Sequence, residues 1–202
     1  MTPALPMATG RILPRSAEAE KRKTSYVGMV FALGSWTMLF AALFFSYAVL
    51  RLRAEAWPPE GAAPLPRLLP AVNTFVLLLS SFLLARGVRP EAAWAHGALK
   101  RALWGTLGLG TLFLVLQLAV WMPLWNAGFT IRSGTYGSIF YGLTVFHALH
   151  ALAGLIALAC LLPGTHAGRF NSGRQPAVRV TAMFWHFVDI VWLLMFIAVY
   201  LI

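Results

Sequence analysis

The chain has 202 residues, 59% of them hydrophobic and only 11% charged. Too little charge is present to coat a soluble globule of this size, so the composition points to a polytopic membrane protein. The net charge of +10 does not indicate nucleic acid, because the basic residues lie almost entirely in short segments between apolar runs, as membrane topology requires.

Residues 1–25 contain Pro3, Pro6 and Pro14 and lack a continuous apolar core. They are expected to form a mobile cytoplasmic tail rather than a signal peptide. Glu18, Glu20, Lys21, Arg22 and Lys23 are suited to begin a short interfacial helix. The rest, 26–202, is read as one domain. A hydrocarbon core of about 30 Å needs about 20 apolar residues in a helix. Five segments meet that length: 26–50, 68–86, 99–124, 135–162 and 178–202. The breaks carry turn residues: Trp57-Pro58-Pro59-Glu60-Gly61 through Pro66, Gly87 to Pro90, Pro123 to Ser133, and Pro163 to Pro176. No internal repeat argues for an inverted-repeat transporter. The expected fold is all-α, a transmembrane bundle of five helices.

Basic residues set the orientation. Arg11, Arg15, Lys21, Arg22, Lys23, Arg86, Arg89, Lys100, Arg101, Arg169, Arg174 and Arg179 fall on one side of this topology. Arg51, Arg53, Arg67 and Arg132 fall on the other. The richer side is expected to be cytoplasmic, which puts the N-terminus inside and the C-terminus in the periplasm.

Within lipid, small residues and buried polar contacts hold helices together. Segment one offers Gly28, Ala32, Ser35, Ala42 and Ser46. Segment two offers Asn73, Thr74, Ser80 and Ser81, segment three Gly105, Gly108 and Gln117, and segment four His147, Ala151 and Gly154. The small residues among these are read as packing positions that a five-helix bundle buries.

Segment five carries the sharpest signal. His186 and Asp189 stand three residues apart on one helical face, which Trp185 and Trp192 share. Asp189 is the only acid inside any apolar segment. An isolated charge at the bilayer centre costs roughly 2.5–3.5 kcal/mol on insertion scales. Asp189 must therefore face protein or water, and His186 is its expected partner. His147 and His150 lie about 5 Å apart on one helix, too close to bracket a single haem. Either could pair with His186 across two helices, but hydrogen bonds to backbone carbonyls, to Asp189 or to lipid headgroups are the expected use. His96 and His166 lie in or beside cytoplasmic loops. One cysteine, Cys160, excludes an internal disulfide and a dinuclear copper centre, and there is no CxxCH haem motif. No catalytic residues, metal ligands or cofactors are expected in this chain.

Four stretches together resemble subunit III of the haem-copper oxidases, cytochrome c oxidase and the related quinol oxidase. They are GMVFALGSWTMLFAALFFSYAVLR, then LPAVNTFVLLLSS, then FLVLQ followed by GTYGSIFYGLTVFHALHALAG, and finally FWHFVDIVWLLMF. The residues that carry the likeness are Asn73, Thr74, Gln117, Thr144, His147, His150, Trp185, His186, Asp189 and Trp192. The resemblance implies a scaffold in the bacterial inner membrane that bears no haem or copper. Such a scaffold packs on subunit I, beside subunit II, of a proton-pumping oxidase in aerobic respiration. It would protect the catalytic subunit, support proton uptake and bind phospholipid, without fixing which residues contact lipid. Mitochondrial members have seven helices, and this chain resembles the five-helix bacterial form. Two positions depart from the family. Trp36 follows Ser35 where a glutamate is usual, and Val120 stands three residues after Gln117 where an acid is frequent. Both favour a structural role over proton handling. Two other functions remain open at this level: an accessory subunit of nitric oxide reductase on the same fold, and a small haem b membrane cytochrome.

Overall fold

A computed structural model describes residues 15–57, 65–89, 97–168 and 175–201. All of the regular structure in these residues is helical. The elements are α1 (Arg15–Arg53), α2 (Leu68–Val88), α3 (Ala98–Asn126), α4 (Thr135–His166) and α5 (Pro176–Met195), the last continuing into a π-helical turn over Phe196–Leu201. Among the described residues five helices are long and apolar enough to cross a membrane.

The helices overrun the expected spans at their polar ends. α1 begins at Arg15 and runs unbroken to Arg53, so the residues assigned to a separate interfacial helix are its first turns. The remainder of the expected tail, 1–14, lies outside the described residues. Pro123 and Pro163 were expected in loops but sit inside the last turns of α3 and α4. A proline there forfeits a single ladder bond, and its own carbonyl still accepts the N–H of Ala127 or Ala167. Pro176 opens α5 at its first position, where the missing N–H is not needed.

Helices α2, α3, α4 and α5 close a ring, with α2 packed on α3, α3 on α4, α4 on α5 and α5 back on α2. α1 stands outside this ring, against α4 and α5. Among the described side chains of α1, only Phe40 and Tyr47 are buried. The interior is a column of large side chains that includes Leu77, Leu84, Leu103, Phe113, Phe140, Leu143, Leu158, Trp185, Trp192 and Met195. The exterior is also apolar, with Phe31, Met38, Phe45, Phe75, Trp104, Leu149, Ile156 and Ile190 exposed. Around a protein in water this surface would promote aggregation, whereas in hydrocarbon it is the required solvent match.

The small residues of α1 do not behave as expected. Gly28, Ser35, Ala42 and Ser46 face outward, and nothing lies within 4 Å of a Cβ built on Gly28. The reason is geometric: four helices already enclose one another, and α1 meets the ring through its larger side chains. Trp36 packs on Phe184 at 4.9 Å between ring centroids, and Phe40 packs on His150 at 5.2 Å. In α3 the expected interior glycines Gly105 and Gly108 also yield to another. Gly108 is exposed, and Gly110 is the one buried.

The α3–α4 connection is itself folded. Ser133 Oγ accepts from the Thr130 N–H at 2.8 Å and donates to the Gly128 carbonyl at 2.9 Å. Tyr141 donates its hydroxyl to the carbonyl of buried Phe129 at 2.8 Å.

A Cβ built on Gly110 would lie 2.6 Å from Leu155 and 2.7 Å from the Trp185 ring. Gly110→Val is therefore expected to destabilise the bundle by about 1–3 kcal/mol, the usual cost of overpacking. Gly108→Val, facing open space, is expected to change little. Thermal midpoints of the two variants in the same lipid or detergent check the contrast.

Candidate functional site: a polar seam inside the bundle

Each ring helix presents a stripe at alternating spacings of four and three. These are Asn73, Leu77 and Ser80 on α2; Gly110, Phe113 and Gln117 on α3; His147, Ala151 and Gly154 on α4; and Trp185, Asp189 and Trp192 on α5. Residues so spaced fall on one helical face, and in the structure every one of these is buried. The stripes meet along a seam between α2 and α5.

Trp185 occupies its centre. The indole lies between two glycines, Gly110 of α3 and Gly154 of α4. A Cβ on Gly154 would approach its ring to 2.8 Å. On the third side the indole N–H donates to Ser80 Oγ of α2 at 3.1 Å. Ser80 Oγ in turn donates to the Leu77 carbonyl at 2.7 Å, and the Ser80 carbonyl accepts from Thr106 of α3 at 3.2 Å. Seven residues on, Trp192 repeats the motif, donating to Thr74 Oγ1 at 2.9 Å. Going up α2 from 74 to 80 means going down α5 from 192 to 185, so the two helices run antiparallel.

Asp189 lies between the two tryptophans and is buried, as a membrane acid must be. The expected pairing with His186 does not form. The imidazole Nδ1 of His186 is instead hydrogen-bonded to the Ser81 hydroxyl. The same Ser81 side chain is the polar neighbour of Asp189, whose two carboxyl oxygens are buried without a hydrogen bond of normal geometry. A serine from the facing helix thus stands where a direct contact along α5 was anticipated. Ser81, His186 and Asp189 do not compose a nucleophilic triad. In that arrangement the imidazole lies between hydroxyl and acid, whereas here the hydroxyl lies between imidazole and acid.

His147 and His150 separate. His150 Nδ1 contacts the Phe146 carbonyl at 2.7 Å, the backbone contact anticipated, and its ring meets Trp36 edge-on at 5.4 Å. His147 departs from expectation. It is fully enclosed by the rings of Phe40, Phe113 and Trp192, at centroid separations of 6.5, 5.7 and 5.2 Å, and neither nitrogen has a hydrogen-bond partner. Thr144, one turn away, returns its hydroxyl to the Phe140 carbonyl at 2.9 Å. Asn73 donates to Gln117 Oε1 across α2 and α3 at 3.4 Å. His166 contacts the Leu162 carbonyl at the exposed end of α4, and His96 lies outside the described residues. Among the described residues no group of three His, Cys, Asp or Glu side chains is placed to hold a metal ion. The two positions where the resemblance anticipates acids are packing sites: Trp36 rests on Phe184, and Val120 is in the core.

Sequence reasoning missed Gly110 and Phe113. The available signal was their spacing from Gln117, seven and four residues, which puts all three on one face.

A double-mutant cycle on Trp185→Phe and Ser80→Ala is expected to give a coupling energy of about 0.6 kcal/mol and no more than about 1.7 kcal/mol, the range measured for polar contacts between membrane helices. Thermal or denaturant unfolding of the four proteins in one detergent measures it.

The sequence profile described as Cytochrome c oxidase subunit III matches residues 16–202. A protein of Nocardia farcinica named probable cytochrome c oxidase subunit 3 is 36% identical over 201 residues, covering 99% of this chain and 98% of that one. A protein of the same description from Mycobacterium leprae is 39% identical over 177 residues, 87% of each chain. The cytochrome c oxidase subunit 3 of Synechocystis is 35% identical over 175 residues, 86% of this chain and 74% of its own. With a matching profile over nearly its whole length and relatives above 30% identity across most of theirs, the chain belongs to the cytochrome c oxidase subunit III family.

Proposed function

We propose that this chain is the non-catalytic third subunit of a proton-pumping terminal oxidase of the cytochrome c oxidase type. In this reading it braces the catalytic subunit I, beside subunit II, in the inner membrane of a bacterium. The observation that carries the reading is the family match from residue 16 to residue 202.

The seam supports a bracing role. Its hydroxyls, amides and indoles are directed into the bundle and largely toward one another. Trp36 and Val120 replace carboxyl groups with packing groups, so proton handling at those two places is not part of the proposal. The distribution of Lys and Arg supports a cytoplasmic N-terminus and a periplasmic C-terminus. The apolar exterior of α1, with Phe31, Met38 and Phe45 exposed, offers surface to phospholipid tails and to neighbouring subunits.

The alternatives are less well supported. The relatives' names give no footing for a nitric oxide reductase. A haem b cytochrome needs imidazoles from two helices directed at one iron, yet His147 is boxed by three aromatic rings and His186 is engaged by Ser81.

Affinity purification of the tagged chain from membranes in mild detergent is expected to bring down a larger, haem-bearing subunit at equal stoichiometry, read by mass spectrometry of the intact assembly. Recovery of the chain alone, with a Soret band that vanishes in His186→Ala, would overturn the proposal.

A further inference from the structure

Three side chains meet toward the C-terminal end of α5 without satisfying one another. Asn73 of α2 and Gln117 of α3 are fully buried, and Tyr200 of the π-turn is nearly so. Asn73 donates to Gln117 Oε1 across a long 3.4 Å. The Tyr200 hydroxyl lies within electrostatic reach of Gln117, but no hydrogen bond joins them. Asn73 Oδ1, Gln117 Nε2 and Tyr200 Oη are all buried with no partner. In hydrocarbon no bulk solvent can compensate them, so each such orphan is destabilising.

The backbone brings them there on purpose of register. Continued as a regular α-helix from Trp192, α5 would turn residue 199 inward and residue 200 aside. The wider turn over Phe196–Leu201 buries both Val199 and Tyr200. Turns of this kind sacrifice ladder geometry and concentrate at functional positions. Here the effect is to deliver a phenol to a buried amide pair.

The chemistry of the orphans is complementary to one small ligand. Gln117 Nε2 offers a donor, Asn73 Oδ1 an acceptor, and Tyr200 Oη either. We propose that an ordered water molecule is bound between Asn73, Gln117 and Tyr200, tying α2, α3 and the end of α5 together. The water accepts from Gln117 Nε2, donates to Asn73 Oδ1 and completes its shell with Tyr200. Three protein partners is the usual number for a buried water. A cation is disfavoured, because the site holds no carboxylate and one of its orphans is an N–H donor.

The site is independent of the role of the chain in its complex, so the proposed function and this water stand or fall separately. The test is a density map of the purified complex in lipid nanodiscs, at a resolution that shows water. The expected result is a single peak within hydrogen-bond distance of all three side chains, lost in the Gln117→Leu complex. Direct bonding of Tyr200 to the Gln117 amide with no intervening peak would overturn the proposal. If Gln117→Leu fails to assemble, Tyr200→Phe serves in its place. That variant removes only the hydroxyl, and the expected result is a weakened peak, while one of unchanged strength would mean that the phenol does not hold the water.

Discussion

The bundle depends on a single indole. Trp185 of α5 is flanked by a glycine from α3 and a glycine from α4, and it hydrogen-bonds a serine of α2. All four helices of the ring are thus fixed relative to one side chain. In a membrane this matters more than it would in water. Lipid tails solvate a helix as well as another helix does, so nothing expels these segments toward each other. What remains is close packing of surfaces and the need to pair polar atoms, and the Trp185 position combines both. Its ring fills space that two missing side chains leave. Its N–H meets an acceptor on the one helix that supplies no glycine to it.

Trp192 repeats the arrangement one heptad further along α5, bonding Thr74 and stacking edge-on against Phe113 at 4.8 Å. Together the two tryptophans act as rungs between α2 and α5. Between the rungs lies Asp189. An acid in this position is costly to bury and gains no ion pair among the described residues. Enclosure by neighbouring helices is what the structure provides instead, while the Ser81 hydroxyl engages His186. A polar rung sets register, because a slip of one residue would carry both indoles away from their acceptors at once.

Much of this was legible in the sequence. Hydropathy located all five helices. The alternation of three and four residues on α4 and α5 identified their inward faces, including Gly154, Trp185 and Trp192. Two kinds of information were not legible. The first is which stripe faces which. Helical periodicity says where a side chain points on its own helix but not what it meets. His186 and Asp189 were paired because they are neighbours along α5, and the structure inserts Ser81 from α2. The second is whether a stripe is buried at all. The small residues of α1 resemble those of the ring helices in pattern, yet they face outward, because closure of a ring is a property of four helices together. Chain ends of helices were misjudged for a simpler reason: hydropathy falls before the hydrogen-bond ladder stops, so α1 and α4 extend past their apolar runs.

The peripheral place of α1 has a consequence for biogenesis. Of the five helices α1 comes before the others along the chain, yet the elements it rests on, α4 and α5, are the two furthest from it in sequence. Until α4 and α5 follow, it must therefore persist in lipid without the helices it rests on. Its long uninterrupted apolar course suits that state, and it holds no acid between Tyr26 and Leu50. The ring can close on its own indole keystone before α1 docks. In a chain of this design, the order of synthesis and the order of assembly run in opposite directions.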